Sequence, residues 1–83
     1  MTFLVTGGTG FIGKRVVSLL LKKNINVVAT DINTNVEQEQ FDKYLNQKNI
    51  NKKNLELVDL DISSKDEIKS IITDNKITNI IAC

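Results

Sequence analysis

The sequence has no histidine, no proline and a single cysteine. Without histidine the commonest general base and zinc ligand is missing, so a conventional zinc site cannot be assembled. One cysteine, Cys83, excludes an internal disulfide. No apolar run approaches the ~20 residues of a membrane-spanning helix. The start, Met1-Thr2-Phe3-Leu4-Val5-Thr6-Gly7-Gly8, has neither the basic segment nor the apolar stretch of a signal peptide. A cytoplasmic location is therefore expected. Nor does one sign of charge dominate: 11 basic residues stand against 10 acidic ones, and the longest lysine grouping outside helices is Lys52-Lys53. That excludes the clustered basic surface which nucleic acid or an anionic membrane requires. The missing proline accompanies abundant asparagine, isoleucine and lysine, a compositional bias with no mechanism attached.

What remains is 83 residues, enough for one small domain with a thin core. A chain of this length buries about 60–65% of the surface its unfolded form exposes. Thr2 to Thr6 is a β-prone run stopped by Gly7-Gly8, a buried strand and a sharp turn. From Phe11 the pattern becomes helical, with Ile12, Val16, Leu19 and Leu20 on one face, flanked by Val17 and Leu21. Lys22-Lys23 closes that helix where cations suit its dipole, and Asn24 is its stop. Ile25 to Thr30 forms a second strand ending at Asp31, and 32–35 a loop. Val36 to Gln47 follows as a helix with Phe41, Tyr44 and Leu45 facing inward, then an asparagine-rich connection over 46–54. Leu55 to Leu60 is a third strand. Ser64 opens a helix, with Glu67 three residues on completing a capping box and Ile68, Ile71 and Ile72 on the inner face. Thr78 to Cys83 begins a fourth strand, in which Cys83 is a buried apolar residue without a cation to activate it.

Strands alternating with helices predict an α/β fold, a three-layer parallel sheet. Right-handed crossovers and double winding give the strand order 3-2-1-4. The last element is an apolar strand with no helix after it, and two or more further strands would complete a dinucleotide fold. A Rossmann-type domain truncated after its fourth strand is thus expected, with residues 1–83 its amino-terminal part.

The segment Thr6-Gly7-Gly8-Thr9-Gly10-Phe11-Ile12-Gly13 carries most of the chemistry. Gly7 lets the chain turn out of the first strand. Gly10, lacking a side chain, lets backbone approach a pyrophosphate, and Gly13 lets the helix pack closely. The free amides of the helix start, around Phe11 and Ile12, then point at phosphate oxygens. A glycine triplet alone is weak, but here a strand precedes it and a helix follows. Asp31 ends the second strand eighteen residues after Gly13, where an acid accepts hydrogen bonds from the adenosine ribose hydroxyls. Its charge repels a 2′-phosphate, which favours NAD over NADP. Lys14 and Arg15 could assist an additional phosphate, although early helical cations are commonly solvent-facing.

These residues resemble the TGxxGxxG fingerprint of extended short-chain dehydrogenases/reductases, and more narrowly the NAD-dependent epimerase/dehydratase family acting on nucleotide sugars. The resemblance implies that Asp31 is the cofactor-selecting acid, and that Asp61-Ile62 is the Asp-hydrophobic pair beside the adenine. It also implies a polar ribose contact from Asn35. Ile80-Ile81-Ala82-Cys83 is similar to the family's fourth strand. The resemblance spans the chain but only the first third or so of a family member. The family's catalytic Ser/Thr, its Tyr-x-x-x-Lys and its substrate domain lie beyond that, so no catalytic residue is assigned.

Two letter matches mislead. Tyr44-Leu45-Asn46-Gln47-Lys48 reads as Tyr-x-x-x-Lys, but it falls between strands two and three, on the adenosine side of the sheet, away from any nicotinamide. Gly8 to Arg15 nearly matches the NTPase phosphate loop, with Leu57-Val58-Asp59-Leu60-Asp61 as its acidic strand. Arg15, however, occupies the position where a hydroxyl must ligate magnesium. The expectation is an NAD-binding segment of a nucleotide-sugar epimerase or dehydratase, inactive alone. The alternatives are a non-catalytic dinucleotide sensor, which would lack the downstream Tyr-x-x-x-Lys, and an inactive remnant.

Overall fold

Short runs rich in β-branched residues form strands and the amphipathic segments between them form helices. In chain order these are β1 (Thr2–Thr6), α1 (Phe11–Lys22), β2 (Asn26–Asp31), α2 (Thr34–Gln47), β3 (Leu55–Asp59), α3 (Lys65–Asp74) and β4 (Asn79–Ala82). The structure, a computed structural model, describes residues 1–31, 34–59 and 64–83, without the side chains of 34–38. All strand pairings are parallel and the order is β3-β2-β1-β4, as the alternation of elements predicts. The register sets Val5 beside Ala29 and Ile81, and Asp31 beside Asp59.

Because side chains alternate across a strand, each strand contributes to both faces. Val5, Val27 and Ala29 meet Val17 and Leu21 of α1 and Phe41 and Leu45 of α2, with Ile50 closing the cluster. Burying side chains of this size contributes about 1.5–3 kcal/mol each, so this face holds most of the domain's stability. Leu4, Val28 and Thr30 are buried on the other face. There α3 runs past the carboxyl end of β3, where Ile71 and Val58 line a shared cavity, yet no residue of α3 is fully buried. No helix among the described residues is long and apolar enough to cross a membrane.

All three helices end in the same way. Residues Asn24, Asn49 and Lys76 adopt left-handed backbone, with φ of 59°, 55° and 52°. The next amide in each case, that of Ile25, Ile50 or Ile77, donates back to the carbonyl of Leu20, Leu45 or Ile72 at 3.0–3.1 Å. This is a Schellman closure with an isoleucine just beyond it. It accounts for Asn24 as the stop of α1, and for β2 starting at Asn26 rather than Ile25.

Several expectations need correction. The buried face of α1 is Gly13, Val17, Ser18 and Leu21, while Ile12 and Leu19 are 65% and 59% exposed. Apolar residues cover more than half of the circumference of this helix, opposite Lys14, Arg15 and Lys22, so hydropathy leaves its rotation open within that wide arc. The contact at Gly13 described below decides it, and Val17 and Leu21 follow at four-residue intervals. Ser64 has the extended backbone of an N-cap (φ −90°, ψ 102°) but its side chain makes no capping hydrogen bond, so the capping box is not formed. The helix start is half-exposed, and there water competes for the same amides. Cys83 is exposed; β4 is an edge strand among those described, and α3 buries nothing near it. Helix α2 begins at Thr34, so Asn35 belongs to its first turn rather than to a loop.

Candidate functional site

Gly7, at φ +67°, turns the chain sharply after β1. The Gly10 amide donates to the Gly7 carbonyl at 3.1 Å, and the Lys14 amide donates to the Gly10 carbonyl at 3.0 Å as the first helical bond of α1. A Cβ on Gly13 would lie 2.0 Å from the Gly7 carbonyl oxygen and 2.8 Å from the Gly8 Cα. Only a bare Cα fits there, and the helix is drawn against the turn. A Cβ on Gly10 would meet no atom nearer than the Gly7 oxygen at 3.3 Å, and Gly10 is exposed. Packing within the chain is far less restrictive at Gly10 than at Gly13, a shift of a few tenths of an ångström being enough to admit a Cβ, whereas an approaching ligand would ask much.

The amino end of α1 is left open. Gly10 is its N-cap, without a capping side chain, and no acidic residue stands in the first turn. The amides of Phe11, Ile12 and Gly13 have no acceptor within the helix, and their dipoles sum to a partial positive charge. Phe11 and Ile12 themselves are largely exposed, with the Arg15 guanidinium 4.7 Å and the Lys14 ammonium 5.7 Å from the centre of the Phe11 ring. Both cations thus lie on the aromatic face at the helix start.

Beside this loop stands the end of β2. The Gly8 amide donates to the Thr30 carbonyl at 3.0 Å, and the Thr9 hydroxyl donates to Asp31 Oδ2 at 2.6 Å. Six of the expected cofactor residues, Gly7, Gly10, Phe11, Ile12, Gly13 and Asp31, are therefore gathered at the carboxyl edge of adjacent strands, the edge where open α/β sheets bind ligands. The Asn35 side chain, Asp61 and Ile62 lie outside the described residues.

Two residues were missed by sequence reasoning. A Cβ on Gly8 would approach the Ala29 Cβ to 2.7 Å, so this glycine lets the loop sit down on β2. Its signal was available, because all four glycines of the chain fall between positions 7 and 13. Thr9, only 6% exposed, gave no signal, since its partner is distant in sequence.

Neither misleading motif gains a site. The Lys48 ammonium lies 5.3 Å from the centre of the Tyr44 ring on α2, and the Lys14 ammonium 5.0 Å from it. Tyr44 and Lys48 border a groove shared with Arg15, Ser18, Leu19 and Lys22. Arg15 packs on Phe11 and supplies no hydroxyl for a metal. A cavity of about 280 Å³ between Thr2, Asn26 and Asn54 opens at the opposite, amino-terminal edge of the strands.

The family model described as GDP-mannose 4,6 dehydratase matches residues 4–82. Among solved structures the chain is similar to dTDP-glucose 4,6-dehydratase from Bacillus anthracis in complex with NAD, at 24% identity and a TM-score of 0.78, covering 99% of this chain and 26% of that one. That identity speaks for the fold alone. UDP-glucose 4-epimerase from Thermotoga maritima, solved with UDP-glucose, is 25% identical with a TM-score of 0.74, over 100% of this chain and 24% of that one. UDP-glucuronic acid 4-epimerase from Bacillus cereus, in complex with UDP-glucuronic acid and NAD, is 25% identical with a TM-score of 0.67, over 99% and 26%. The chain spans about a quarter of the length of these structures. No curated protein matches it. With the family model matched from the first strand to the last, the chain belongs to the GDP-mannose 4,6-dehydratase family and corresponds to its amino-terminal Rossmann region.

Proposed function

We propose that residues 1–83 are the NAD-binding amino-terminal part of a nucleotide-sugar epimerase or dehydratase. The observation that carries this reading is the amino end of α1: uncapped, free of acids, and pulled onto the Gly7 turn by a contact only glycine permits. A diphosphate fits these residues. Exposed Gly10 clears its approach, and the amides of Phe11, Ile12 and Gly13 donate to its oxygens. Gly7 and Gly13 hold the loop in shape around it. Asp31, at the edge of β2, accepts from the adenosine ribose hydroxyls, and its charge disfavours a 2′-phosphate, which makes NAD the cofactor rather than NADP. Asn35 adds a ribose contact, and Asp61 with Ile62 flanks the adenine.

When bound, the nicotinamide takes a hydride from a sugar carbon and in most such reactions returns it. The residues that move the proton, together with the catalytic half and the substrate domain, belong to the remainder of a family member. Residues 1–83 taken by themselves should bind ADP-ribose about as well as NAD. Calorimetric titration with ADP-ribose tests the reading: Gly10→Leu should weaken binding tenfold or more, roughly 1.4 kcal/mol, while the circular dichroism of the fold is unchanged. Unaltered affinity in a folded Gly10→Leu chain overturns it.

A further inference from the structure

The loop and the acid are not independent parts. Two consecutive loop residues bond to two consecutive residues of β2: the Gly8 amide to the Thr30 carbonyl at 3.0 Å, and the Thr9 hydroxyl to Asp31 Oδ2 at 2.6 Å. The second distance lies in the short range of a hydroxyl donating to a carboxylate, the stronger, charge-assisted kind of hydrogen bond. Thr9 is well placed to make it. Its branched Cβ restricts χ1, and burial leaves it little freedom to turn elsewhere. Asp31 gains one of its holds from this bond. It is half-buried at the end of its strand, and the register sets the like-charged Asp59 directly across from it on β3.

Resting on the ribose reading of Asp31, we infer that Thr9 is a positioning residue that enforces the choice of NAD over NADP. A carboxylate rejects a 2′-phosphate only if it cannot retreat when the phosphate arrives. With the Thr9 bond gone, Asp31 would yield more easily to the arriving phosphate, and the penalty against NADP would shrink. Tied to Thr9, the carboxylate stays where the ribose hydroxyls need it, so the same hydrogen bond raises affinity for the correct nucleotide and preserves the clash with the wrong one. Because Thr9 lies between the glycines of the diphosphate loop, the ribose site and the diphosphate site are held as one unit.

The test is calorimetric titration of the chain with ADP-ribose and with 2′-phospho-ADP-ribose, for the parent sequence, Thr9→Val and Thr9→Ser. Thr9→Val removes the donor at nearly constant shape and should weaken ADP-ribose about tenfold while narrowing its preference over the 2′-phosphate form. Thr9→Ser keeps the hydroxyl and should retain most of both. In an Asp31→Ala background Thr9→Val should add nothing, because its effect passes through that carboxylate. If the valine chain does not fold, Thr9→Ala takes its place. Parent-like affinity and preference in the hydroxyl-free variant, with Asp31→Ala still shifting preference, would overturn the role of Thr9 alone. An Asp31→Ala chain with unchanged preference would overturn the ribose reading, and this inference with it.

Discussion

Of the helices that begin beside the carboxyl edge of the sheet, α1 and α3 treat their amino ends in opposite ways. Helix α3 has Ser64 as N-cap and places Asp66 and Glu67 in its first turn, so its own side chains answer the positive end of its dipole. Helix α1 has Gly10 as N-cap, no acid in its first turn and cations at Lys14 and Arg15 instead. Burial runs the other way: α1 buries four residues and α3 none. The helix anchored most firmly is thus the one whose end is left unsatisfied. A preorganised anion site needs this combination, since a donor cluster on a loosely held helix would spend binding energy on ordering itself.

The sharpest way to break this contrast is to prise α1 from its turn. Gly13→Val places a branched side chain where even a Cβ lies 2.0 Å from the Gly7 oxygen. The loss should be about 3 kcal/mol or more, enough to unfold much of a marginal domain. Ser70→Val, on an exposed position of α3, should cost less than about 0.5 kcal/mol. Urea denaturation followed by circular dichroism reads both, and similar midpoints would show that α1 is not held by that contact.

Next in size is the difference between the two faces of the sheet. Leu45 is fully buried in the cluster under α1 and α2, and Leu45→Ala should cost about 2–5 kcal/mol. Ile71, half-buried on α3, should cost less than half as much when cut to alanine, because its site is already open to water. Equal losses would mean that α3 contributes a core of its own.

Smaller still is the effect expected at the helix ends. Lys76 holds a left-handed conformation that carries a steric cost for any residue with a Cβ. Lys76→Gly should stabilise the chain by about 0.5–1 kcal/mol, visible as a raised Tm. Asn24 at the corresponding place in α1 already suits that conformation, and Asn24→Gly should change stability by less. A destabilising Lys76→Gly would show that the lysine side chain makes a contact worth more than the backbone strain.

Much of the architecture was legible because parallel α/β folds announce themselves by alternation: a β-prone run, glycines, then a helical period, repeated. The strand order followed from general rules of handedness, with no need for side-chain detail. The glycine loop was legible for a related reason, since glycine marks places where a side chain is forbidden, and Gly13 and Gly7 sit at such places. The rotation of α1 was not legible. Its apolar arc is wider than the face that is buried, and the deciding contact is between Gly13 and a backbone oxygen six residues earlier, to which hydropathy is blind. Thr9 was hidden because a hydrogen bond between positions 9 and 31 exists only after β1 and β2 are side by side. Cys83 was misjudged because apolar sequence implies burial only where something covers it.

The finest test of the contrast concerns a cap that exists in sequence only. Ser64 and Glu67 have the spacing of a capping box, and a box that forms typically contributes about 1 kcal/mol through its serine. The Ser64 backbone has the right shape, and its carbonyl accepts from the Ile68 amide at 3.2 Å, but the hydroxyl satisfies none of the helix's first amides. Ser64→Ala should therefore change stability by no more than about 0.3 kcal/mol, well below the usual cost of losing a cap. Chemical denaturation of the two chains side by side resolves a difference of that size. A loss near 1 kcal/mol would mean that the hydroxyl does cap α3 in solution. The amino end of α3 would then be closed twice over, by its cap and by its acids, and α1 would stand out still more clearly as the helix whose amides are kept for a ligand.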